Sequence, residues 1–238
     1  MMPAMAKALE TWKVLPHEPI QRLEENLWYV RGMLGRIQRM MAVARLGDGR
    51  LVVYNAIALD EAEMQQLEGW GQPAFLVVPS AGHRNDAKIW KQRYPQLKVI
   101  SPAGAKKRVE EVLAVDDTGG DFGDPTVRFV APDCTAARDC LLEVQSARGV
   151  TLVINDLVVN MPHVRGVSGM IFRALGFTGP SPKVAPIPRM MLVRDRAGLK
   201  SLLEQLATRK DLVRVVMSHG QLIEQNCADA LRAAAATA

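Results

Sequence analysis

Three histidines and two aspartates in this chain have the chemistry to hold a metal ion or move a proton, and they sit where apolar runs give way to loops. Asp156 lies in "TLVINDLVVN" (151–160), and His219 ends "LVRVVMSH" (212–219). His83 follows the apolar run 75–78 and precedes a helical stretch; Asp86 is three residues further on, and His163 lies just past the Asp156 run. Imidazole and carboxylate together suit zinc, iron or manganese. An ionised carboxylate inside a buried strand is costly unless it is paired, ligated, protonated or reached by water, so Asp156 needs a partner. The plainer reading of each histidine is a capping or hydrogen-bonding residue at a strand–helix junction, and the residues alone leave both open.

Other motifs lead nowhere. "GGDFGD" (119–124) neither follows a strand nor opens a helix, no P-loop occurs, and Ser80 and Ser218 are not on a G-x-S-x-G elbow. Cys134 has no context for a nucleophile.

The elements that must position these residues follow from periodicity and punctuation. Strands are expected at 26–32, 39–46 and 50–56, the last two joined by the turn "GDG". A helix at 59–71 carries acidic residues in its first turn and Gly71 at its end. Strands at 74–80 and 97–102 alternate with helices at 85–95 and 103–114, a β-α-β-α signature, and 115–126 is a loop. Strands at 127–132, 140–146 and 150–159 follow. A short helix at 167–177 and a Pro-rich stretch make 161–190 a long ordered loop, a flap or an interface element. The chain closes with a helix at 195–210, a strand at 212–219 and a helix at 222–234. The first ten residues read as frayed and 11–238 as one domain.

Composition narrows the classes. The chain has 238 residues, 48% hydrophobic and 23% charged, an ordinary balance for a globular protein. The net charge of +5 is mild, and its densest basic cluster, Lys106-Lys107-Arg108, adjoins Glu110 and Glu111, so no nucleic-acid partner is expected. Three cysteines without a C-x-x-C pair argue against a disulfide framework and for a reducing compartment, the cytoplasm. No run reaches the length of a membrane span or a signal peptide, and no membrane partner is expected.

The order of these segments resembles the metallo-β-lactamase-like superfamily, specifically a small bacterial branch of domains of unknown function. The resemblance runs from about Trp12 to the final helix. "ENLWYVRG…RMMAVARLGDGRLVVYNAIALDE" looks like that branch's first hairpin and helix, and "VVPSAGHRNDAKIWKQRYPQLKVISPAG" like its strand, ligand loop and helix. "GVTLVINDLVVNM" looks like the strand that delivers a metal-bridging aspartate, and "VVMSHG" like the strand ending in the last metal-binding histidine. The resemblance implies an α/β fold, a four-layer αββα sandwich, with metal ligands His83, Asp156 and His219. The family's H-x-H-x-D-H loop is eroded: with Asp86 in the aspartate position, Gly82, Arg84 and Ala87 stand where histidines would be.

Two functions follow from that resemblance. One is a relative with a degenerate site and without the usual two-metal chemistry, binding a small molecule or a partner, or pairing with its own copies through 161–190. There Asp156 and His219 would form an ion pair, with Arg84 in a cation's place. The other is a hydrolase of an ester, thioester, amide or phosphoester with a single zinc, iron or manganese ion. In it Asp86 or His163 would be a fourth ligand or the base that activates water.

Overall fold

The computed structural model describes residues 8–35, 37–163 and 166–238, without the side chains of 167 and 168. Most of the stretch read as frayed, residues 1–7, lies outside the described residues. The chain divides into two compact units, Met1–Phe129 and Val130–Ala238.

The first unit is built on a six-stranded sheet, in the order β1 (Gln21–Glu24), β2 (Leu27–Leu34), β3 (Ile37–Arg45), β4 (Arg50–Tyr54), β5 (Gln72–Val77), β6 (Lys98–Ile100). The first four strands are antiparallel neighbours, and β4, β5 and β6 run parallel. A parallel step needs a crossover, and α1 (Glu61–Trp70) and α2 (Ala87–Arg93) supply the two. Asp60 caps α1, its carboxylate accepting from the Glu63 N–H at 2.9 Å. The helix faces bury Met64, Leu67, Ile89 and Trp90 against Val30, Met41, Val53 and Leu76 of the strands. The central strand β4 is apolar on both faces: Val52 and Tyr54 are as buried as Leu51 and Val53, which explains its continuous hydrophobic run.

Two elements here differ from the sequence expectation. The polar "QRLE" forms the edge strand β1, which its half-exposed alternation disguises. The helix expected at 103–114 is only one turn, α3 (Lys106–Val109), and the chain then proceeds through turns. Helix-forming composition yields there to tertiary demand, because Val109, Leu113 and Val115 must all reach the same core.

The loop after α3 is tied back by Asp124. Its carboxylate accepts from Gly47 N at 2.7 Å and from Thr126 N and Oγ1 at 2.8 and 2.6 Å. The Gly47 N–H, then the Thr126 hydroxyl, holds the Asp124 carboxyl below its usual 3.8. A carboxyl depressed in the folded state stabilises above its unfolded pKa, and that contribution is lost as pH falls through the folded value. In urea titrations from neutral pH down through the carboxylate range, Asp124→Asn is expected to flatten the acid limb of the midpoint-versus-pH curve. An unchanged limb would remove Asp124 from the acid response.

The chain passes along β7 (Val127–Val130) into the second unit. There β8 (Leu141–Ser146) and β9 (Gly149–Ile154) form an antiparallel hairpin, and β10 (Leu212–Met217) lies parallel to β9 on its other side. Between β9 and β10 run α4 (Val167–Ala174), α5 (Pro186–Leu192) and α6 (Arg196–Ala207), and α7 (Cys227–Ala235) ends the unit. Leu199, Leu203 and Leu206 of α6 and Leu231 of α7 bury against Leu152, Ile154, Val215 and Met217. Asp195 caps α6 by accepting from Gly198 N at 2.9 Å. The helix α5 falls in the stretch read as Pro-rich loop. Pro186 stands in its first turn, where a missing N–H and a fixed φ cost nothing.

Candidate functional site

The strand expected over 150–159 ends at Ile154, so Asp156 is not in mid-strand but two residues beyond the carboxyl end of β9. His219 stands in the same place relative to β10, two residues beyond Met217. Because β9 and β10 are parallel neighbours, both side chains emerge at one edge of the sheet, where open α/β sheets collect ligands. The extensions stay paired: Asn160 N donates to His219 O at 3.1 Å and Gln221 N to Asn160 O at 2.9 Å. The glycine of "SHG" has a local reason. Gly220 adopts φ +105, and a Cβ there would collide with the Asn160 carbonyl.

His219 Nε2 lies 3.1 Å from Asp156 Oδ1, and each side chain is 17% exposed. Two ligands on one tetrahedral ion at ~2.1 Å are about 3.4 Å apart, and about 3.0 Å apart at adjacent octahedral positions. The pair thus has the spacing and the donor chemistry of two ligands of one cation.

Beneath the pair lies a buried polar network that the sequence reading missed. Asp139, just before β8, accepts from Cys140 N at 2.7 Å and from Asp156 N at 3.2 Å. Ser218 Oγ donates to Asn155 Oδ1 at 2.8 Å. Asp139, Asn155 and Ser218 are essentially without solvent exposure. Burial pushes the Asp139 carboxyl well above its usual range and the Asp156 charge pushes it further, against the lowering effect of Asn155 and the two N–H groups. The available signal was a polar residue between each apolar run and its candidate ligand, Asn155 before Asp156 and Ser218 before His219.

His163 is exposed, and its Nδ1 lies 2.9 Å from Thr178 Oγ1 in the same unit. That hydroxyl orients the ring and leaves Nε2 as the atom available for proton transfer.

His83 belongs to the first unit, in the turn between β5 and α2, where His83 N donates to Ser80 O at 3.1 Å. Its Nδ1 is 3.1 Å from Asn55 Oδ1. Asn55 follows β4 at φ +55 and is itself fixed, its Nδ2 donating to Met40 O at 2.6 Å. An amide oxygen holding Nδ1–H leaves Nε2 with its lone pair, the tautomer that metal-binding histidines use.

Asp86 is corrected by its surroundings. Its carboxylate is completely buried, in an ion pair with Arg39, and Oδ1 also accepts from Ala58 N at 3.0 Å. An acid so enclosed organises the loop within the first unit; it offers no free oxygen to a metal or to water. Arg84 is corrected too. Its guanidinium bonds Arg108 O and, at 2.9 Å, Glu111 Oε2, whereas the arginine that pairs with Asp86 is Arg39.

No protein-family profile matches the chain, and no curated protein matches it. Solved structures do. A mono-zinc form of a metallo-β-lactamase from Pseudomonas aeruginosa is 12% identical, with a TM-score of 0.62 over 94% of this chain and 96% of that one. A metallo-β-lactamase from Erythrobacter litoralis is 12% identical, with a TM-score of 0.60 over 91% and 95%. One from Hirschia baltica is 10% identical, with a TM-score of 0.58 over 91% and 96%. At such identities the likeness shows the fold: mixed α/β with two sheets, of the metallo-β-lactamase type.

Proposed function

We propose that the protein is a hydrolase with a single divalent metal ion, held by Asp156 and His219 of the second unit, with His83 as the third ligand that the family resemblance implies. The observation that carries it is the 3.1 Å approach of Asp156 Oδ1 and His219 Nε2 at one sheet edge. The Asn55–His83 bond supports the third ligand, because it presents Nε2 in ligating form. A single ion follows from Asp86: the carboxylate a second cation would need is neutralised by Arg39. On this reading the chain belongs to a bacterial branch of the superfamily in which the H-x-H-x-D-H loop has eroded.

What a divalent ion supplies in such a site is Lewis acidity, toward a carbonyl or phosphoryl oxygen and toward water. His163, whose ring Thr178 orients, would be the group that takes up a proton from water and returns it to the leaving group if substrate brings that water within its reach. Asp139 and the Asn155–Ser218 pair hold the ligand-bearing strand ends in place. Esters, thioesters, amides and phosphoesters are the substrate class. Three cysteines, all free and buried, support a reducing compartment such as the cytoplasm.

The experiment is a panel of p-nitrophenyl acetate, an acyl thioester, an anilide and bis(p-nitrophenyl) phosphate, assayed before and after chelation. Hydrolysis of at least one, lost with chelator and restored by zinc or manganese, is expected. No turnover, or turnover indifferent to chelator, overturns the proposal. One observation favours the metal-free binder as a second reading: at 3.1 Å the Asp156–His219 contact also has hydrogen-bond length, and it is an ion pair when His219 is protonated.

A further inference from the structure

Among the described residues, seven large apolar side chains are exposed, and five of them cluster on two consecutive helices: Met170, Ile171 and Leu175 at α4, Met190 and Met191 on α5. Met170 is 65% and Met190 72% exposed. Gly176 after α4 sits against the Pro186 ring that opens α5, so the two helices meet where one ends and the other begins. Scattered apolar surface is ordinary, whereas a concentrated patch of flexible methionines marks a surface that docks onto something soft.

The charge of the segment says onto what. Between Asp156 and Asp195 the chain carries no Asp or Glu, although acids are frequent elsewhere. The same stretch holds Arg173, Lys183, Arg189 and Arg194. Arg173 and Arg194 are exposed. Lys183 and Arg189 donate to backbone carbonyls, Thr178 O and Thr237 O, each at 2.6 Å.

From these exposed apolar side chains and the one-signed charge of the stretch that carries them, we infer that the α4–α5 segment is a docking surface for an anionic phospholipid bilayer. Methionine, isoleucine and leucine enter the boundary between headgroups and acyl chains, and the arginines meet the phosphates. A second copy of the chain fits poorly, because a two-fold contact would set this basic surface against itself. Composition led to an expectation of no membrane partner because it bears on spanning, and no helix among the described residues is long and apolar enough to span. Lying on a bilayer needs only one apolar and basic face.

The test is co-sedimentation of the full chain with vesicles of phosphatidylcholine alone and of phosphatidylcholine mixed with phosphatidylglycerol. Binding to the mixed vesicles only, weakening as salt rises, is expected. Arg173→Gln and Arg194→Gln should each lower the partition coefficient about fivefold, and Met170→Asp with Met190→Asp should abolish binding. All four positions are exposed, so folding is expected to survive, and circular dichroism checks it. Absent binding, equal binding to both vesicles, or binding indifferent to these substitutions overturns the inference. So does a dimer in sedimentation velocity that Met170→Asp dissolves while no vesicles are bound.

Discussion

His219→Ala is expected to lower affinity for zinc or manganese by more than about a hundredfold, because losing a group that merely orients a ligand already costs about ten- to a hundredfold. On the proposed reading the imidazole nitrogen and the Asp156 carboxylate are the two donors at the sheet edge, and alanine would leave the carboxylate alone of that pair. Asp156→Asn should act in the same direction and by a smaller factor, since an amide oxygen still coordinates weakly. Competition titration against a chromophoric chelator reads both values. Far-UV circular dichroism separates ligand loss from unfolding, and the strand ends should hold, because Asp139, Asn155 and Ser218 pair with one another and with the backbone. Equal affinities in the wild type and His219→Ala would remove His219 from the site.

The largest stability effect is expected at Arg39. Its guanidinium and the Asp86 carboxylate are both buried, and the pair is completed by Ala58 N. Replacing one partner of a buried pair strands the other charge, at about 3–5 kcal/mol, whereas replacing both by apolar groups of similar size is often neutral. Arg39→Met should therefore lower the urea midpoint sharply, and Arg39→Met with Asp86→Leu should recover much of the loss. The double variant carries a second consequence. If Asp86 is structural, as its burial indicates, the refolded double variant keeps the metal affinity of the wild type. A double variant that is stable but cannot bind metal would return Asp86 to the site.

Most of the alternation of strands and helices was legible because those elements announce themselves locally, whereas β1, α5 and the shortness of α3 did not. The "GDG" turn, the Asp60 cap and the acidic first turn of α1 need no tertiary information. His83, Asp156 and His219 were legible as candidates from residue type and position after apolar runs. Asp86 was misread, because nothing near it in sequence reveals that Arg39, on β3, folds onto this residue at the start of α2. Arg84 was misread for the same reason, its partners lying on and just after α3. Asp139 was invisible: an aspartate before a strand looks like a turn residue until its burial is known. The 150–159 run showed where the carboxylate would be but not where the strand stops. β-branched residues continue past Asp156, but the regular strand stops at Ile154, and the Asp156 N–H donates to the buried Asp139 carboxylate.

The most direct measurement is metal content by plasma mass spectrometry, on protein purified without a chelator or an affinity tag. The Asp156→Ala, His219→Ala double variant is prepared alongside. A single mononuclear centre predicts about one zinc, iron or manganese ion per chain in the wild type and none in the variant. Two ions per chain, or none even after incubation with zinc and manganese, would contradict it.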